Sequence, residues 1–169
     1  CTKEGKITAA QAELVFQTGP YTGSMYFNAL NAMFTRYALE NVHVVSYEVV
    51  SNRPKVNAFR APCVPQIVFG VEGIIDDLAR KIGMDPIEVR LKNAAKEGHT
   101  TIYGDTWGPV GFVETLESAK KCDHYLSPVK PGEGRGLAAG FWFNRGGETA
   151  ASLNLAPDGT VTIAVGTAD

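Results

Sequence analysis

Arg60 stands in the stretch VNAFRAPCVPQ, Val56 to Gln66, with Pro62 and Pro65 close behind it. A guanidinium is always charged and presents a planar fork of donors, which suits a phosphate, a carboxylate or an oxo-anion. The stretch also runs into an amphipathic segment, and the free amides and dipole of a helix N-terminus favour the same ligands. Against this stands a local role, in which Arg60 pairs with a carboxylate or a carbonyl of its own loop; the spacing does not decide between them. Cys63 lies in the same loop, yet a thiol nucleophile or metal ligand needs an activating partner. The pattern supplies none, so an inert buried thiol is the favoured reading. His43, His99 and His124 are scattered and make no metal-ligand spacing. Asp76 beside Asp77 reads as a solvated helix face rather than an acid/base pair, and Glu72 reads as surface on the same grounds. NRGGE, residues 144–148, places two glycines beside an arginine, which fits either close approach to a ligand or a tight turn.

The elements that must position these residues follow from period and punctuation. Residues 6–17 alternate apolar and polar side chains as a half-buried strand does, and TGPYTG then supplies a turn. Residues 24–40 carry Phe27, Leu30, Phe34, Tyr37 and Ala38 at spacings of three and four, predicting a helix. Residues 41–52 are β-branched and bounded by asparagines, predicting a strand. From Pro65 to Ile82 the apolar residues Val68, Val71, Ile74, Ile75, Leu78 and Ile82 predict a helix, with Glu72, Asp76, Asp77, Arg80 and Lys81 on its other face. Gly83 suits its C-cap. Asp85, Pro86 and Glu88 then predict a new helix start with a capping box. A further helix is predicted over 109–122. Strands are expected over 136–144 and in a pair within 151–166, joined by the turn Pro157 to Gly159. Strands, helices and strands again give an α+β fold, a mixed or antiparallel sheet with packed helices. Within a single unit of residues 1–169, the parts are 1–64 (strand, helix, strand and arginine loop), 65–126 (helical) and 133–169 (strands).

The 169 residues are 44% hydrophobic and 20% charged, with a net charge of −2, an ordinary globular profile. Without a basic cluster, nucleic acid and anionic membranes are not expected as partners. No run approaches the roughly 20 apolar residues of a membrane span. Three cysteines without a paired spacing fit reduced thiols in a cytoplasm rather than a disulfide framework. No dinucleotide or triphosphate glycine motif is present. Beginning at Cys1 and stopping on a strand, the chain is expected to be a piece of a longer polypeptide.

Taken together, AFRAPCVPQIVFGVEGIIDDLARKIGMDPIEVRLKNAAKEG, Ala58 to Gly98, resembles the molybdenum-binding catalytic subunit of the xanthine dehydrogenase and aldehyde oxidase family. That family's arginine loop matches Phe59-Arg60-Ala61 and its Pro-Gln pair matches Pro65-Gln66. Its glycine, proline, glutamate, arginine and asparagine motif matches Gly83, Pro86, Glu88, Arg90 and Asn93. The flanking segments TKEGKITAAQAELVFQTGPYTG, VHVVSYEVVSNRP and LNLAPDGTVTIAVGTAD are similar to the family as well. The resemblance implies a molybdenum-molybdopterin cofactor, usually in the cytosine dinucleotide form in bacterial members. It further implies hydroxylation of an aldehyde or N-heterocycle with oxygen from water. Iron-sulfur (2Fe-2S) and FAD centres are expected on other domains or subunits, and the rest of its own subunit is the first partner. Phe59, Arg60, Ala61 and Gln66 are then the expected cofactor-binding residues, with Arg60 near the molybdenum.

Where the loop departs from relatives, substrate is implicated. Purine-oxidising relatives carry an aromatic residue at the position of Pro62, and their second, substrate-orienting arginine would fall near Phe34, with Arg36 close by. Carbon monoxide-oxidising relatives carry a cysteine at the position of Ala61, whereas Cys63 comes two residues later. Xanthine and carbon monoxide are thus disfavoured, and Pro62 and Cys63 are expected near the substrate. The family's catalytic glutamate lies outside these residues, so no catalytic residue is assigned and the piece alone is expected to be inactive. Two other readings keep the fold without that chemistry: a non-catalytic scaffold or interaction module, and a small-anion-binding domain using Arg60 and the helix N-terminus.

Overall fold

A computed structural model describes residues 1–143 and 148–166. The elements run β1 (Ala10–Gly19), α1 (Tyr26–Ala32), β2 (Val42–Val50), α2 (Val64–Ile82), α3 (Pro86–Asn93), α4 (Phe112–Lys121), α5 (Asp123–Leu126), β3 (Ala151–Leu155) and β4 (Val161–Val165). β1 and β2 pair in parallel, from Ala10 opposite Val42 to Gly19 opposite Val50, with α1 in the crossover between them. β3 and β4 form a separate antiparallel hairpin. The architecture is therefore α+β with small sheets and packed helices, the sheet direction being parallel in one pair and antiparallel in the other.

The core gathers the inner residues of α1 and α2 with the segment after α1: Ala29, Ala32, Met33, Phe34 and Tyr37 against Val64, Ile67, Val71, Ile75 and Ala79. The buried stripe of α2 thus runs 64, 67, 71, 75, 79, one step round from the expected one. Ile74, placed on the inner face by spacing alone, is 61% exposed, and the expected surface residue Glu72 is 3% exposed. A second cluster of Ile87, Ala94 and Leu116 joins α3 to α4.

Other differences have local causes. The first strand starts at Ala10 rather than residue 6 because Thr2 and Lys6 close a turn, and the Ile7 amide donates to Asn93 Oδ1 at 2.8 Å instead of to a ladder. The predicted helix over 24–40 stops at Ala32. Beyond it the Arg36 guanidinium donates to the carbonyls of Ala32 and Met33 (3.3 and 3.0 Å), and residues 36–38 pair with residues 93–95. The helix predicted over 109–122 is α4, ending before Cys122, whose ψ of 146° is extended; the short α5 that follows it has no counterpart in the sequence reading. Residues 136–143 form no strand, because side chains satisfy their backbone: the Leu137 carbonyl accepts from Arg90 Nη2 at 3.0 Å, and the Ala139 amide donates to Glu72 Oε2 at 2.8 Å. Asn144 of that strand, and NRGG of the glycine turn, lie outside the described residues.

Punctuation was read correctly at three places. Gly83 caps α2 in the left-handed region at φ 67°. Asp85 caps α3, its Oδ1 accepting from the Ile87 and Glu88 amides at 2.8 and 3.3 Å, although Glu88 reaches Lys120 rather than closing the box. The hairpin turns at Pro157–Gly159, with Gly159 at φ 86°.

Candidate functional site

Arg60 projects from the loop between β2 and α2, at one side of a cleft of about 520 Å³. The cleft is lined by residues 55–63 of that loop with Pro65 and Gln66, by Gly23 to Met25, and by Phe16 and Gln17 at the end of β1. Among the described residues no Asp, Glu or His side chain lines the cleft, and its cationic side chains are Lys55 and Arg60. The Lys55 ammonium is fully engaged, donating to Thr18 Oγ1 and to the carbonyls of Tyr21 and Thr22. Arg60 is exposed and has no hydrogen-bond or ion-pair partner among the described residues. The local pairing weighed for it from sequence is absent there, which leaves a whole guanidinium for a ligand.

The backbone beside it is shaped with unusual dihedrals. Ala61 and Cys63 both occupy the left-handed region, at φ 55° and 67°. Side chains carrying a Cβ adopt this region at a cost of about 1–2 kcal/mol each. Outliers of this kind concentrate where a loop must present groups in one arrangement. The effect is to swing the chain from the loop into α2, with the Val64 amide donating to the Ala61 carbonyl at 3.1 Å. α2 has no side-chain cap and no acidic residue in its first turn; with Val64 bonded to Ala61 and Pro65 lacking an N–H, the amides left without a cap are those of Gln66 and Ile67.

Phe59, Arg60, Ala61, Pro62, Cys63 and Gln66, singled out from the sequence, all line this one cleft. Phe59 is 88% exposed and Gln66 is exposed, while Ala61, Pro62 and Cys63 are half-buried. Burial pushes the Cys63 thiol up from its ordinary value, which keeps it protonated and poorly nucleophilic near neutrality. Among the described residues no group of His, Cys, Asp and Glu could hold a metal ion directly.

The strongest electrostatic feature escaped the sequence reading. Glu72 is buried between two arginines that are themselves 3% and 0% exposed. Its Oε1 accepts from Arg36 Nε and Nη2 at 3.0 and 2.6 Å and from the Tyr37 hydroxyl at 2.8 Å. Its Oε2 accepts from Arg90 Nε at 2.9 Å and from the Ala139 amide. Arg90 also pairs with Asp76 at 2.8 Å, so two positive charges meet two negative ones. Burial disfavours the Glu72 anion, but the Arg36 charge and the donated hydrogen bonds outweigh it and hold the carboxyl below its ordinary range. Tyr37 is pushed up by burial and by the Glu72 charge. Arg36, noted for its place near a substrate-orienting arginine, is thus an internal counter-ion. Glu72 and Asp76 are corrected from surface to structural groups, whereas Asp77 does stay on the surface, paired with Arg80. A signal for Glu72 existed: it falls on the stripe of Ile67, Val71 and Ile75 in a helix with few other polar residues on that side.

Asn93 is a second structural group. Its Nδ2 donates to the carbonyls of Gly5 and Val89 at 2.8 and 2.7 Å, and its Oδ1 holds Ile7, fastening the chain's start to α3. The motif of Gly83, Pro86, Glu88, Arg90 and Asn93 is scaffolding throughout. Trp107 packs edge-on against Phe141, its indole donating to the Thr35 carbonyl at 3.2 Å.

The molybdopterin cofactor-binding domain family matches residues 1–94, which include the whole cleft. The chain is 36% identical over 124 residues to the nicotinate dehydrogenase large molybdopterin subunit of Eubacterium barkeri, covering 71% of this chain and 29% of that subunit. It is 31% identical over 176 residues to the aldehyde oxidoreductase molybdenum-binding subunit PaoC of Escherichia coli O157:H7, covering 95% of this chain and 23% of the relative. In fold it is similar to the aldehyde oxidoreductase of Desulfovibrio gigas, with a TM-score of 0.71 at 24% identity over 95% of this chain and 19% of that one. The chain therefore spans less than a third of the length of the curated relatives described.

Proposed function

This chain belongs to the molybdopterin cofactor-binding domain family, and from that premise we propose that its cleft holds part of a molybdopterin cofactor in an enzyme that hydroxylates an aldehyde or N-heterocycle. The observation that carries the reading is the unpaired Arg60 guanidinium beside the uncapped N-terminus of α2, in a cleft without carboxylates. That donor set fits a group rich in anionic oxygen, because the Arg60 donors are unclaimed and no carboxylate lines the cleft. When bound, the cofactor supplies the oxidising centre and the oxygen drawn from water.

In this reading Arg60 binds anionic oxygen of the cofactor near the metal, Phe59 and Ala61 fix the loop against it, and Gln66 offers its carboxamide from the first turn of α2. Pro62 and Cys63 border the substrate. Pro62 supplies a compact apolar surface in place of a stacking ring, and the protonated Cys63 presents a small, weakly polar one. A cytosine dinucleotide form of the cofactor, iron-sulfur and flavin partners to take the electrons, and the base for the reaction elsewhere in the subunit complete the proposal.

Arg60→Ala and Arg60→Lys in the natural holoenzyme test it, with molybdenum and pterin measured per protomer alongside turnover. Loss of charged, fork-like hydrogen bonds predicts cofactor retention weaker by roughly tenfold or more for Ala, and only partial rescue by Lys. Wild-type protein purified without molybdenum, or an Arg60→Ala protein with full molybdenum and unchanged turnover, would overturn it.

A further inference from the structure

The part of the cleft lining formed by Gly23 to Met25 is held by two residues that no motif singles out. Glu48, on β2, accepts the Gly23 amide on both carboxylate oxygens, at 3.0 and 3.1 Å, and the Ser24 amide as well. Lys55, at the start of the arginine loop, sends its ammonium back to Thr18 Oγ1, the Tyr21 carbonyl and the Thr22 carbonyl at 2.8, 3.0 and 3.1 Å. Thr18 is fully buried, and its hydroxyl donates to the same Tyr21 carbonyl at 2.8 Å. The two strands of chain cross so closely at Gly19, φ 85°, that a Cβ there would lie 2.6 Å from Lys55 Cα.

We propose that Glu48 and Lys55 are positioning residues which clamp the turn Thr18–Ser24 from its two ends and thereby set the width of the cleft mouth. Lys55 belongs to the arginine loop by its backbone and grips the turn by its side chain, so loop and turn are tied together through one side chain. The turn itself has little else to hold it: Tyr21 is 72% exposed and Gly23 has open space around it. The inference rests on the proposed function only for what enters the cleft. Cys63 lines the same cleft and its thiol is half-buried, so its rate of alkylation by a neutral reagent is a readout of how open the cleft is.

The test uses the natural holoenzyme and its variants Lys55→Met, Lys55→Arg and Glu48→Gln. Peptide-resolved hydrogen exchange over residues 19–25 should rise by about tenfold for Lys55→Met and Glu48→Gln, on the scale of losing one or two charge-assisted hydrogen bonds, with α2 and α3 unchanged. Alkylation of Cys63 by a maleimide should rise with it, by roughly fivefold, while that of exposed Cys122 stays constant, and Lys55→Arg should restore most of both. Exchange unchanged in both variants refutes the clamp. Faster exchange with an unchanged Cys63 rate refutes its control of the mouth, and a rise spread equally over α2 and α3 marks general destabilisation and refutes it too. Absence of molybdenum in the wild type would refute the proposed function while leaving these readouts to judge the clamp.

Discussion

Glu72→Gln keeps the shape of a fully enclosed side chain and removes its charge, which makes it the sharpest probe of the buried cluster. Glu72 takes four hydrogen bonds from side-chain atoms of Arg36, Tyr37 and Arg90 and one from the Ala139 amide. The carboxamide keeps one acceptor oxygen and turns donors toward Arg36 or Arg90. Arg36 loses its only ion-pair partner among the described residues, whereas Arg90 keeps Asp76. Breaking a buried pair from one side costs about 3–5 kcal/mol. A domain of this size loses roughly 2–4 °C per kcal/mol, so Tm should fall by about 6–20 °C. The pH dependence carries the same signature. Because the folded Glu72 carboxyl lies below its ordinary 4.5, its stabilisation is present above that pH and is lost as pH falls through the folded value. Wild-type protein should therefore lose stability below about 4.5 more steeply than Glu72→Gln. Urea and thermal unfolding at pH 7 and at several lower pH values measure both. A loss under about 1 kcal/mol with identical acid profiles would refute the account.

Asn93→Ala removes three buried hydrogen bonds and frees the Ile7 amide; a loss of about 2–3 kcal/mol in urea unfolding is expected, with exchange at Gly5–Ile7 rising first. Gly19→Ala should destabilise far more than Gly5→Ala: both residues have positive φ, but the added Cβ meets backbone at Gly19 and the flexible end of Met84 at Gly5. Equal unfolding midpoints for the two would contradict this. Ala61→Gly relieves a left-handed residue and should stabilise the loop locally by about 1 kcal/mol, read as slower exchange of residues 58–63; unchanged or faster exchange there would contradict it.

What was legible in advance followed local chemistry. Gly83, Asp85 with Pro86, and the turn at Pro157–Gly159 each depend on a backbone preference that a single residue type expresses, and each stands where its type predicts. Long-range electrostatics was not legible. Helical spacing sets Glu72 beside the buried stripe, but the partners that make a charge tolerable there, Arg36 and Arg90, are 36 and 18 residues away and leave no local pattern. The same holds for residues 136–143, whose aromatic and small residues read as a strand but whose backbone is satisfied by Glu72 and Arg90. Residues 33–40 kept a helical spacing past Ala32 because Phe34 and Tyr37 serve the core in either conformation. The cleft residues were found together because they are consecutive in one loop. Gly23–Met25, held from behind by Glu48, carry no signal because their contribution is made through amides and a tertiary crossing that leave no pattern in the chain.

The two charge systems explain each other. Arg36 and Arg90 are matched by Glu72 and Asp76 inside the fold, and Lys55 is surrounded by three oxygens of the turn it holds. Each of these cations is fixed by geometry and gives up its field locally, so none is left to attract a ligand to the cleft. Arg60 alone among the charged side chains lining it is unmatched, at the mouth of a helix whose N-terminal amides carry no cap. In the proposed function it is the charge of Arg60, and not its bulk, on which the site depends. Arg60→Met should accordingly leave unfolding unchanged within about 0.5 kcal/mol while lowering cofactor retention as far as Arg60→Ala does. A destabilisation by Arg60→Met as large as that of Glu72→Gln would place Arg60 in the scaffold instead.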